Sequence, residues 1–203
     1  MAGMTMKFSV TGKHISVGDA LRKHVEDHLE ELVGKYFSGS LEAHITFSRE
    51  AHLFRADVVV HAGRGITLQS NGSANEPYPA FDIAAERMAR QLRRYKTKIQ
   101  DRHQQPLESS SDVLAKAFVL QGYEEGEQEA EVGDNPVVVA EMTTPIESLS
   151  VSEAVMRLDL GDLPALMFRN RAHGGFNMIY RRPDGHIGWI DPPLALHAAA
   201  KGV

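Results

Sequence analysis

An acidic stretch in the middle of the chain forbids one continuous core. Residues 104–135 hold eight Asp and Glu against one lysine, centred on Gly122-Tyr-Glu-Glu-Gly-Glu-Gln-Glu-Ala-Glu-Val-Gly-Asp134. Side chains of one sign at that density repel one another, and too little apolar area remains to offset the entropy of ordering the chain. The stretch 104–135 therefore predicts an acidic disordered linker. Within it, the run Val113 to Leu120 is apolar enough for a transient helix or a docking segment. The remainder divides into a block over 1–103, a second block over 136–193 and a tail over 194–203. Charge follows the same division: +3 in the first block, −7 in the linker and −1 in the rest.

The 203 residues include no cysteine, which excludes disulfides, thiolate metal sites and a cysteine nucleophile. No apolar run is long enough for a transmembrane helix or a signal-peptide core, so the expectation is a cytoplasmic protein that binds no membrane.

In the first block, Met6-Lys-Phe-Ser-Val10 alternates with the strand period. Ser16 stands three residues before Asp19, the spacing of a capping box, with Asp in place of Glu. Leu21, Val25, Leu29, Leu32 and Tyr36 then mark one face of a helix. Three further alternating runs follow, around Ala43–Phe47, Phe54–Val60 and Ile66–Leu68. Arg55, Asp57 and His61 on the opposite parity predict one wet sheet face. Asn75-Glu-Pro-Tyr-Pro79 opens a second helix, since proline suits a first turn. Its stripe is Phe81, Ala85, Met88, Leu92, Tyr95 and Ile99. The order β-α-β-β-β-α predicts an α+β sandwich like that of double-stranded-RNA-binding domains.

The second helix also carries a basic stripe. At 100° per residue, Arg87, Arg90, Arg94 and Lys98 fall opposite the apolar face, and Arg93 and Lys96 lie on its flank. A rigid line of cations suits a phosphate backbone, because each neutralised phosphate releases condensed counterion. A merely solvated face usually mixes signs for i,i+4 pairing; here the bias is to one sign. Lys13, Arg22 and Lys23 extend the candidate RNA-binding set, although Glu26, Asp27, Glu30 and Glu31 share the first helix with Arg22 and Lys23.

Enzyme chemistry finds little support. His24-Val-Glu-Asp-His28 puts two imidazoles at i,i+4, a spacing that can bind zinc, but no third ligand is identifiable from sequence. Boundary histidines without a metal are the expected reading. Gly63-Arg-Gly65 is too short for a dinucleotide fingerprint, and no phosphate-binding P-loop occurs. His173-Gly-Gly175 lacks the accompanying nucleophile elbow and reads as a hairpin turn. The expectation is a protein that is not an enzyme, with no catalytic residue, cofactor, metal or small-molecule substrate.

In the second block, Val137–Ala140 reads as a strand. Ser150 and Glu153 form a capping box, and Val151, Ala154, Val155 and Leu158 give a short amphipathic helix. Strands follow over 165–169, 176–180 and 186–190, with a turn at Arg182-Pro-Asp-Gly185. So small a β-rich α+β unit has a marginal core, and a second copy is the expected support. Phe168, Met178, Tyr180, Ile187 and Trp189 are the candidate dimerisation residues.

Several segments together resemble the long-form ribosome hibernation promoting factors. In the first block they are Thr11-Gly-Lys-His-Ile-Ser-Val-Gly-Asp-Ala-Leu-Arg22, Pro77-Tyr-Pro-Ala-Phe-Asp82 and Gln91-Leu-Arg-Arg-Tyr-Lys-Thr-Lys98. In the second they are Ser152-Glu-Ala154, Phe168-Arg-Asn170, Asn177-Met-Ile-Tyr-Arg-Arg-Pro-Asp-Gly185 and Gly188-Trp-Ile-Asp-Pro192. Departures fall at Pro145-Ile-Glu-Ser-Leu149, Asp159-Leu-Gly-Asp-Leu-Pro164 and Ala172-His-Gly-Gly175, and they bear on the details of a dimer surface.

The resemblance implies a first block that binds the decoding region of the small ribosomal subunit and blocks translation in starved or resting cells. The second-helix cations would contact rRNA phosphates. The C-terminal block would form a homodimer that joins two idle ribosomes, and the linker would span the distance. Two readings compete: a general RNA-binding or chaperone module, and a metallohydrolase using His24 and His28.

Overall fold

The structure, a computed structural model, describes residues 5–62, 65–104, 112–121 and 137–193, with backbone alone for 100–104. The first block runs β1 (Thr5–Lys13), α1 (Asp19–Gly34), β2 (Ser40–Glu50), β3 (Leu53–His61), β4 (Thr67–Ala74) and α2 (Pro77–Gln104). The strands form one sheet in the order β1-β2-β3-β4. β1 runs parallel to β2, as the α1 crossover requires, and the other pairs are antiparallel hairpins.

Alternation decides which face is dry. Leu41, Ala43, Ile45 and Phe47 of β2 and Ala56, Val58 and Val60 of β3 are buried. They meet Leu21, Val25, Leu29 and Val33 of α1 and the Phe81, Ala85, Met88, Leu92 and Ile99 stripe of α2 in one apolar cluster. Full burial of each large side chain contributes roughly 1.5–3 kcal/mol. Gly72 of β4 lets α2 lie close. A Cβ there would clash with the Ala80 carbonyl and come within 2.7 Å of the Ala84 nitrogen.

Two details of α1 differ from the sequence reading. The N-cap is Gly18, with no side-chain cap, so Ser16 and Asp19 form no capping box. The buried row continues at i+4 through Val33 and then Phe37, whereas Leu32 and Tyr36 are only partly covered.

The largest departure lies in the expected linker. Val113–Leu120 is a strand, β5, paired antiparallel with β6 (Val138–Ile146) in a separate two-stranded ribbon. It is not a transient helix; it docks, as the other reading of the run allowed, by pairing with β6. The Gln121 N–H donates to the Val137 carbonyl at 2.9 Å, so the chain leaves β5 and re-enters β6 at one place. The acidic segment Gly122–Asp134 lies outside the described residues. The ribbon leaves Leu114, Phe118, Val119, Leu120, Val138 and Met142 exposed.

The C-terminal block comprises β7 (Ser148–Leu149), α3 (Val151–Leu160), β8 (Ala165–Asn170), β9 (Phe176–Arg181) and β10 (Ile187–Ile190). Its sheet order is β10-β9-β8-β7. The capping box at α3 is present: the Ser150 hydroxyl accepts from the Glu153 N–H, and the Glu153 carboxylate accepts from the Ser150 N–H. Gly161 ends the helix. The turn at 182–185 closes with Gly185 at φ +83°, where glycine avoids Cβ strain. A small core of Leu149, Ala154, Leu158, Phe168 and Ile179 lies between α3 and one sheet face.

Candidate nucleic-acid interface

α2 is held along its length by the apolar stripe, and that fixes where its cations point. Arg87, Arg90, Arg93, Arg94, Lys96 and Lys98 are all exposed. Each has its own surroundings. Arg87 donates to the Asn71 carbonyl at 2.8 Å and to the Asn71 side-chain oxygen at 3.0 Å, which braces it against β4. Arg90 lies 3.6 Å from Glu86, a solvent-exposed i,i+4 pair. Arg93 and Lys96 make no ion pair among the described residues. Of the supplementary set, Lys13 and Lys23 are exposed and Arg22 is partly covered.

Arg94 and Lys98 point at the C-terminal block. Arg94 donates to the Asp159 carboxylate at 2.9 Å, and Tyr95 O–H donates to the same oxygen at 2.5 Å. Gln91 donates to the Asp159 backbone carbonyl at 2.9 Å, and Lys98 donates to the Ser152 hydroxyl. The hydrogen bond with Tyr95 and then the charge of Asp159 raise the Arg94 pKa further. Burial, followed by the hydrogen bond to Asp159, pushes the Tyr95 phenol up to about 12. Sequence periodicity gave no sign of Asp159, because the pairing crosses between blocks.

A cleft of about 310 Å³ opens beside this contact. Arg87, Arg90, Arg94 and Arg181 line it with Asp159 and Asp162.

The five candidate dimerisation residues separate by parity. Phe168 is fully buried in the core of its own block and is not a surface residue. Ile187 packs partly against the same core. Trp189, 52% exposed, donates its indole N–H to Asn177 at 2.9 Å. Met178 and Tyr180 lie on the opposite face, away from α3. There Met178 pairs across the ladder with Met167 and Ile190, and Phe176 shares the parity. Met167, Phe176 and Ile190 are exposed, and the sequence reading missed them.

The histidine pair acquires the third group that sequence alone did not identify. His24, His28 and Asp82 bring their ligand atoms within 4.8 Å of one another, an arrangement able to hold a metal ion. Two of the three already satisfy each other: His24 Nε2 lies 3.0 Å from Asp82 Oδ1. Both rings also meet Phe81 edge-on at 5.7 Å. As it stands, the group forms a polar edge to the α1–α2 packing. Among the described residues no helix is long and apolar enough to cross a membrane.

Comparison with known proteins covers both blocks. Residues 8–100 match the family described as Sigma 54 modulation protein / S30EA ribosomal protein, and residues 133–188 match its C-terminal counterpart. A ribosome hibernation promotion factor of Bradyrhizobium diazoefficiens is 44% identical over 93% of this chain and 95% of its own length. One from Rhizobium meliloti is 41% identical over 92% of this chain and 97% of its own. Among solved structures, the N-terminal domain of Protein Y from Thermus thermophilus aligns at 26% identity with a TM-score of 0.39, covering 46% of this chain and 98% of that one.

Proposed function

The chain belongs to the Sigma 54 modulation protein / S30EA ribosomal protein family, as a long-form ribosome hibernation promoting factor, and from that premise we propose how its two blocks divide the work. The N-terminal sandwich binds rRNA of the small subunit in the decoding region through the exposed face of α2. Occupying that channel blocks translation in resting cells. The C-terminal block pairs with its counterpart on a second ribosome and joins two idle particles. The action is non-enzymatic and cytoplasmic.

The single observation that carries the rRNA assignment is the set of six exposed cations on α2, four in one line and two on its flank. Apolar burial sets the helix rotation, so the direction in which the cations leave the helix is fixed before RNA arrives. Pairing is supported by an apolar sheet face on which Met167, Phe176 and Ile190 are exposed and Met178 and Tyr180, both expected from the sequence, are half-buried. An apolar sheet face of this kind suits a symmetric partner.

The test is sedimentation of purified ribosomes through sucrose with the full chain, with every fraction probed for it. The expected result is protein in a new peak heavier than single ribosomes. Protein on single ribosomes alone would sink the pairing half of the reading. Protein left at the top of the gradient at moderate salt would sink both halves. Competition with tRNA for small subunits separates decoding-region binding from general RNA binding.

A further inference from the structure

α3 faces two cores at once. Ala154 and Leu158 point into the core of the C-terminal block. Met156 and Leu160, four residues apart on another face, are fully buried in the apolar cluster of the N-terminal block. A helix that only completed its own small domain would leave that second face in water. Polar contacts surround it. Arg157 donates to the Gly65 carbonyl at 3.0 Å, at the turn before β4. Gln91, Arg94 and Tyr95 converge on Asp159, and Lys98 reaches Ser152. The Asp159 side chain is only 14% exposed, and its other oxygen lies 3.3 Å from Arg181.

Two of the six cations assigned above to rRNA, Arg94 and Lys98, are thus engaged by the C-terminal block. A phosphate and a carboxylate make the same demand on arginine, two anionic oxygens accepting parallel N–H groups. Asp159 therefore stands where a backbone phosphate would sit against Arg94. A strand of RNA laid along Arg87, Arg90, Arg94 and Lys98 would run into α3. Arg93 and Lys96, on the flank, make no hydrogen bond or ion pair with α3 among the described residues, and neither do Arg87 and Arg90.

We propose that this structure is a closed form in which α3 occupies the chain's own rRNA-binding helix, and that rRNA and the C-terminal block compete for that face. This rests on the assignment of the α2 cations to rRNA. The closed form keeps Met156 and Leu160 out of water in the free protein. Its cost is affinity: binding is weakened by the fraction of chains that are open. Arg93 and Lys96 give an incoming ribosome a first hold without prior opening.

The chain has no cysteine, so Glu30→Cys and Ala172→Cys, both at exposed positions, place a dye pair on α1 and on the β8–β9 turn of the full-length protein. Energy transfer should be high in the free chain and fall when ribosomes are added. Met156→Gln/Leu160→Gln should lower transfer without ribosomes and raise ribosome affinity, by about tenfold where nine chains in ten are closed. Asp159→Asn, which removes the charge facing Arg94 without changing the side chain's size, should shift both readings in the same direction, which guards against misfolding of the first variant. Arg93→Glu lies outside the docking contact and should weaken ribosome binding while leaving transfer high. If Arg93→Glu weakens binding but transfer stays high on ribosomes, or neither opening variant binds more tightly, the closed form is refuted and the rRNA assignment survives. If Arg93→Glu leaves affinity unchanged, the rRNA assignment fails and takes the proposal with it.

Discussion

Reversing Arg90 and Arg93 together should change both the strength of ribosome binding and its dependence on salt. Both side chains are exposed, and neither touches the apolar core. Arg90 has only a 3.6 Å surface pair with Glu86 to lose, and Arg93 has no ion pair among the described residues. The fold should therefore remain within about 0.5 kcal/mol of the parent, as for most surface changes. Binding is another matter. If the six cations of α2 each neutralise one phosphate, log affinity should fall against log salt with a slope of about −4.2 to −5.4. Between 50 and 200 mM salt that amounts to a loss of roughly 300- to 2,000-fold. Removing two contacts should flatten the slope by about 2 units. Two hydrogen bonds to charged groups contribute about 3 kcal/mol at the lower end, so affinity at fixed salt should fall more than 100-fold. The assay is equilibrium binding of the labelled full chain to small subunits across a salt series, with thermal unfolding as the control. A parent slope shallower than about −2, or the same slope in parent and variant, would refute the phosphate reading of the helix.

Other expectations follow from particular contacts. Gly72→Ala should destabilise the N-terminal block by about 1–3 kcal/mol, because the new methyl meets backbone atoms of α2; denaturant unfolding measures it, and a neutral result would mean α2 can move away. Met167→Glu/Ile190→Glu should remove ribosome pairing in sucrose gradients while single-ribosome binding persists, since both side chains are exposed; retained pairing would put the dimer surface elsewhere. Tyr95 carries a pKa raised from 10.0 to about 12, so the folded chain holds this proton more tightly than the unfolded one. Its contribution is whole below about pH 10 and is lost as pH rises through about 12. Tyr95→Phe should flatten stability against pH across that window, and an unchanged profile would contradict the assigned burial. Ser150→Ala should cost about 1 kcal/mol through loss of the capping box, read as earlier unfolding of the C-terminal block.

Where local periodicity and the core agreed, the sequence was legible. The α2 stripe shows this best: one helix, one dry face and one charged face, each apparent from spacing alone. The same spacing misplaced the lower half of α1, because Leu32 and Val33 are adjacent apolar residues and only packing chooses between them. β5 escaped detection for a different reason. Leu114, Phe118 and Leu120 share the strand with Val113, Ala115 and Ala117, so apolar residues stand on both parities and no alternation appears. Its partner β6 also lies beyond a segment whose charge signals disorder. In α3, Val151, Ala154, Val155 and Leu158 defined a face and drew attention from Met156 and Leu160. An i,i+4 apolar pair outside the main stripe was the available sign of a second contact. Phe168 is not a dimer-surface residue because its strand parity, shared with Leu166 and Asn170, places it beneath α3.

The pairing of Leu120 with Val138 turns the connection between the blocks into a tether of two lengths. With the ribbon zipped, the acidic tract begins and ends at the same spot and adds charge without adding distance. Only the nine peptide steps from Gln104 to Val113 then separate the sandwich from the ribbon, about 30 Å at full stretch. Unzipping the ribbon releases the whole run from Gln104 to Ser148, about 145 Å at full stretch. Shortening the acidic tract would leave the first length untouched and reduce only the second. The span available between two anchored blocks is therefore stepped, and the strength of one short hairpin sets the step.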